Sequence, residues 1–107
     1  KIGSYKPFTK GNYRHNLIAR TGENPGKLVH AHHNFPQVFE GRFKQIGLNI
    51  HDPKYLSWFA RSAHSKASSQ ITREWQRFFA ATPNPTLSRT IDFGRIVARS
   101  YGLKVDF

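Results

Sequence analysis

Three of the chain's six histidines, His30, His32 and His33, fall within four positions in the run VHAHHNFP. Imidazole changes charge near neutral pH and is a common nitrogen ligand of metals, so such a cluster points to acid–base chemistry, cation ligation or phosphate contact. The chain has no cysteine. That excludes disulfides, thiolate zinc sites and thiol nucleophiles, and leaves histidine and carboxylate as the strong metal ligands. Side chains alternate along a strand, so His30 and His32 share a face and His33 points the other way, unless the strand is already turning before Pro36. A turn there would bring His32 and His33 to one site. A single strand cannot surround a cation, so further ligands must come from elsewhere, and His64, His51, Asp52 and Asn49 are the candidates. His64 lies in the small, polar stretch SAHSKASS, where a ring facing a site is reasonable and a bulky core contact is not. His15 reads as a solvated surface residue.

The elements that must position these residues follow from periodicity and from turn chemistry. Residues 1–12 mix Gly, Pro and Lys and read as an irregular lead-in. Asn12 suits a helix cap, Tyr13, Leu17 and Ile18 share a face, and Gly22 suits a stop. After the turn TGENPG, residues 28–33 (LVHAHH) read as a strand. Phe39, Phe43 and Ile46 recur at helical spacing and predict a helix from Pro36 to Ile46 ended by Gly47. LNIH, residues 48–51, reads as the second strand. Asp52 and Pro53 form a cap and first-turn pair that predicts a short helix toward Ala63. Ser68 or Ser69 is expected to cap another, with Ile71, Trp75, Phe78 and Phe79 inward, Arg73, Glu74 and Arg77 outward, and an end before Pro83. TPNPTLSRT reads as a loop. A last helix is predicted from Ile91 to Tyr101, with Phe93, Ile96 and Val97 inward and Gly102 as stop.

The 107 residues hold one core, with no repeat, low-complexity tract or second composition regime, so 1–107 reads as a single domain. Nine Phe and two Trp supply enough bulk to fold it. Trp58 and Trp75 could stack bases, but their helical spacing favours packing. No apolar run approaches the roughly 20 residues of a membrane span, and neither an anchor nor a signal peptide is read. A start at Lys1 and the absence of methionine suggest a module cut from something longer. The net charge of +11 calls for an anionic partner, nucleic acid first. Arg42 and Lys44 flank the second predicted helix, Arg61 and Lys66 bracket His64, and Arg73, Arg77, Arg89, Arg95 and Arg99 recur toward the C-terminus. Contacts of this kind hold phosphates without reading bases.

A strand ending in two histidines, a second strand with Asn and then a helical region with His resembles the HNH, or His-Me finger, nucleases. More closely, AHHNFPQVF, FKQIGLNIHDPKY, His64 and SQITREWQRFF resemble nuclease toxin domains of the endonuclease VII branch, C-terminal modules of bacterial polymorphic toxins of contact-dependent inhibition or Rhs type. The resemblance covers His32 to Phe79 and the preceding RHNLIARTGENPG. It implies an α+β fold, a ββα-metal finger (core about 28–80) embedded in a mostly helical small domain. It implies His33 as the general base that activates water, His32 and His64 as ligands of a divalent ion (Zn, Mg, Mn or Ni), and Asn49 as the residue that holds the loop or the base. Colicin-type fingers carry a second histidine one turn after the helical one, where this chain has Ser68. The ligand set would then be completed by His51, Asp52, water or a phosphate oxygen, with His30 nearby.

The function expected is a metal-dependent, nonspecific endonuclease, a DNase acting as an antibacterial toxin, with Arg42, Lys44, Arg61, Lys66 and Arg73 on the nucleic acid. The resemblance further implies delivery as part of a larger secreted toxin, action in the target-cell cytoplasm and a dedicated immunity protein, which the positive charge favours as acidic. The alternatives are a metal-independent ribonuclease that uses two histidines as acid and base, and a noncatalytic nucleic-acid-binding module.

Overall fold

A computed structural model describes residues 4–107, so the first three residues of the expected lead-in lie outside the described part. The elements in order are α1 (Tyr13–Thr21), β1 (Val29–His33), a 3-10 turn (Gln37–Phe39) leading into α2 (Glu40–Ile46), a second 3-10 turn (Pro53–Tyr55), β2 (Leu56–Ala60), α3 (Arg61–Ala81) and α4 (Leu87–Ser100). This is a small α+β domain in which β1 and β2 pair antiparallel. Among the described residues, no helix is long and apolar enough to cross a membrane.

Within the described part of the lead-in, Lys6 is tied to α1. Asn16 is fully buried in α1, and its side-chain amide accepts from the Lys6 N–H (2.8 Å) and donates to the Lys6 carbonyl (3.0 Å). Asn12 precedes α1 as expected, but its side chain donates to the Pro7 carbonyl and to Thr9 Oγ1 instead of capping the helix. Gly47, at φ 99°, ends α2 in a left-handed conformation that a side chain would resist.

The second strand is not where the sequence suggested. LNIH passes through an irregular turn, and β2 is Leu56–Ala60, inside the stretch expected to be helical. Leu48 and Ile50 alternate with polar neighbours because both enter the main core, at 3% and 1% exposure, without a strand partner. The Asp52 cap is real, accepting from the Lys54 N–H at 3.0 Å, but it starts only one 3-10 turn. Leu56 then becomes extended, at φ −106° and ψ 153°. Trp58 and Phe59 favour a pleated surface, and the register pairs His30 with Phe59 and His32 with Ser57.

No break occurs at Ser68 or Ser69, and α3 runs unbroken for 21 residues, roughly 30 Å at 1.5 Å per residue. Its buried stripe is Ala67, Ile71, Trp75, Phe78 and Phe79, a continuous 3–4 spacing that carries the helix through the serines. α4 begins four residues earlier than expected, inside the supposed loop, because Thr86 caps it by accepting from the Arg89 N–H at 3.1 Å. Its inward face is Thr90, Gly94, Val97 and Ala98, and Ile96 points outward at 60% exposure.

The main core is an aromatic cluster around Trp75, which meets Phe43 (centroids 5.0 Å) and Phe93 (4.8 Å) edge to face. Trp75 and the phenylalanines therefore pack rather than offer stacking faces to bases. Phe35 is fully buried against Gly94, where a Cβ would come within 2.5 Å of the Phe35 ring. A smaller cluster of Leu17, Ala31 and Leu56 seats α1 on one face of the sheet. The opposite face, bearing His30, His32 and Phe59, meets α3.

Candidate functional site

β1 separates the histidine cluster into two groups. On the α3 face, the His64 ring lies 4.9 Å from that of His30 and 5.1 Å from that of His32, centroid to centroid. His64 sits in the first turn of α3, which starts directly from β2, so the β1–β2 pairing holds the three imidazoles together. On the α1 face, His33 meets the edge of Tyr13 at 4.4 Å and hydrogen-bonds His51, Nε2 to Nδ1, at 3.0 Å. His51 Nε2 in turn lies 3.1 Å from Glu40 Oε2.

Both groups reach one cavity of about 310 Å³, lined by His30, His32, His33 and His64 together with Tyr13 and Ser68. Residues of both pleat faces line it, so it sits at the free edge or end of β1. Asn34, next in the chain and buried, fixes that end. Its Nδ2 donates to the Tyr55 carbonyl (3.0 Å) and to Ser57 Oγ (2.9 Å) on the opposite strand.

Burial sets the charge state of the site. His32 is pushed down to about 3, first by desolvation and then by the neighbouring His64, His33 and His30. His33 is pushed down to about 4 by desolvation and by His51. His64 is also lowered, by desolvation and by His30. The three rings are therefore neutral at pH 7, the form that ligates a metal or accepts a proton.

Among the described residues, no group of three or more His, Asp or Glu side chains is arranged as a metal cage. His32 and His64, whose neutral rings meet edge to face at 5.1 Å beside the cavity, are the residues that could hold an ion through two imidazoles with its remaining positions open. Such donors suit zinc, nickel or manganese better than magnesium. Ser68 lies one turn beyond His64 on the same cavity.

The other expected residues fall elsewhere. Both ring nitrogens of His51 are engaged, by His33 and Glu40, which leaves no lone pair for a metal. Asp52 is occupied as the cap of the 3-10 turn. Asn49 lies in the turn after α2 rather than beside a strand, accepting from the His51 backbone N–H (3.0 Å) and donating to the Phe8 carbonyl (3.1 Å). It holds the loop that carries His51. His15 bonds the Ser4 carbonyl. Arg42 donates to the Pro83 carbonyl and lies 4.0 Å over the Phe79 ring, a structural engagement. Lys44 lines a second cavity with Glu40, Asn49 and His51. At about 100° per residue, Lys66, Arg73 and Arg77 project roughly 140–180° around α3 from His64, while Arg61 at the helix start lies about 60° from it.

Glu40, Tyr13 and Asn34 are not read as site residues in the sequence. Asn34 adjoins the histidine pair, a local signal that was available. Glu40 and Tyr13 meet the histidines only through the fold. Comparison with protein-family models, with curated proteins and with solved structures finds no match to this chain.

Proposed function

We propose that β1, β2 and the start of α3 form a ββα finger and that the domain is a metal-dependent, nonspecific endonuclease acting on DNA. The observation that carries this reading is the meeting of His33 with the adjacent rings of His32 and His64 on one cavity. A neutral imidazole and a pair of neutral nitrogen donors are the two parts that phosphodiester hydrolysis needs. A divalent ion held at His32 and His64 would offset charge on the scissile phosphate and the leaving oxygen.

In this reading His33 takes a proton from water as the water oxygen bonds to phosphorus and the P–O bond to the leaving alkoxide breaks. The leaving oxygen is protonated from solvent. Base catalysis of this kind contributes about 10²- to 10⁴-fold. Arg61, about 60° from His64 around α3, is the basic residue of that helix assigned to the phosphate backbone, and the remaining positive charge attracts the polyanion at longer range. A ribonuclease that uses His32 and His33 as acid and base is disfavoured, because the acid must be an imidazolium at working pH and burial keeps both rings neutral. The family resemblance adds the context of a delivered toxin acting in a target cell's cytoplasm, with an acidic immunity protein as partner.

The test is cleavage of supercoiled plasmid and of RNA by purified protein with and without EDTA. The reading expects plasmid nicking that chelator abolishes and a divalent ion restores. Salt-sensitive DNA binding without cleavage would replace it with a binding module, and chelator-resistant cleavage of RNA alone with a ribonuclease.

A further inference from the structure

We infer that Glu40 and His51 are positioning residues which fix the tautomer of His33, so that its Nδ1 is the atom that accepts the proton. The inference rests on the reading of His33 as the base, and its argument is one of hydrogen-bond direction. A carboxylate only accepts, so His51 Nε2–H donates to Glu40 Oε2 at 3.1 Å. A neutral His51 with Nε2–H has a bare Nδ1, which accepts at 3.0 Å from His33 Nε2. His33 must then carry its proton on Nε2 and leave Nδ1 as a lone pair. Among the described residues, His33 Nδ1 has no hydrogen-bond partner, and the ring lines the cavity.

The surroundings hold this chain of groups in place. His51 is 4% exposed, and its backbone N–H donates to Asn49 Oδ1, which ties the loop. Tyr13 packs edge-on to His33 and lies stacked at 6.2 Å from His51, which restricts rotation of both rings. Glu40 is half exposed in the first turn of α2 and lines the second cavity with Lys44. The relay therefore runs from a solvent-facing carboxylate through a buried ring to the cavity. Once His33 has taken a proton on Nδ1, the same chain leaves its Nε2–H bonded and directs the Glu40 charge toward it, the role of the acidic member in a catalytic triad.

The experiment pairs ring ¹⁵N NMR of the full chain with steady-state cleavage kinetics. Wild-type protein is expected to show His33 protonated at Nε2 and bare at Nδ1, with scalar coupling across the His33 Nε2–H···Nδ1 His51 bond. His51→Leu is expected to lose about tenfold or more in kcat while KM stays within about twofold. His51→Asn, whose amide oxygen can accept where Nδ1 does, is expected to recover most of that loss. Glu40→Leu, at a half-exposed position that does not threaten folding, is expected to lower kcat in the same way and to weaken the coupling. Absence of the coupling in the wild type, a proton on His33 Nδ1, or wild-type kcat in both His51→Leu and Glu40→Leu would overturn the relay. A wild-type protein that shows the coupling yet cleaves no nucleic acid supports the relay and overturns the nuclease reading, so the two failures are distinguishable.

Discussion

Acid should unfold this domain at a pH where most carboxylates are still ionised, because two buried imidazoles refuse protons that the unfolded chain accepts. His32 and His33 titrate near 6.5 when unfolded and at about 3 and about 4 in the native state. Below pH 6.5 the unfolded chain therefore binds more protons than the native one, and stability falls as pH falls. At about 1.4 kcal/mol per pH unit and proton, each ring costs about 2 kcal/mol by pH 5 relative to pH 8. The pair costs on the order of 4 kcal/mol, a large share of the 5–15 kcal/mol typical of a domain. With a urea dependence of about 2 kcal/mol per molar, the unfolding midpoint should drop by about 2 M between pH 8 and pH 5 in the presence of EDTA. His33→Ala should halve that drop, since one of the two refusing groups is gone. An equal midpoint at both pH values would refute the reasoning and mean that the rings are hydrated in the native state.

Three further outcomes follow from the packing and the charge. Gly94→Ala should cost about 1–3 kcal/mol, read from thermal or urea unfolding, because the new methyl would enter the buried Phe35 ring at 2.5 Å. Either His32→Ala or His64→Ala should weaken divalent-ion affinity measured by calorimetry, and an unchanged affinity in His64→Ala would remove that residue from the ligand set. DNA affinity should fall with salt at a log–log slope of about −0.9 per phosphate contacted, and Arg61→Ala should make that slope shallower by about one contact.

The strand bearing the histidines was legible because VHAHH sits between a turn and a proline, and so were α1, with its Gly22 stop, and the buried face of α3. The second strand was not. Leu48 and Ile50 alternate as strand residues do, yet their burial comes from the aromatic core rather than from a ladder. The Asp52–Pro53 pair announced a helix that the β-favouring Trp58 and Phe59 overrode after one turn. At the site, strand alternation already placed His33 on the face opposite His30 and His32, as the register shows. Pairing of His64 with His30 and His32 depended on β2 running straight into α3, a junction that the misplaced strand concealed. His51 was singled out for its ring, but its bonds to Glu40 and His33 arise from a loop that Asn49 and the Phe8 carbonyl hold, and no local spacing encodes that.

The central claim is that His33 acts on water while His32 and His64 hold the ion, and the most direct test is His33→Ala assayed for plasmid cleavage and, on the same preparation, for divalent-ion affinity. The account predicts that cleavage is abolished while the ion binds within about twofold of wild type. Cleavage by His33→Ala at the wild-type rate would contradict it.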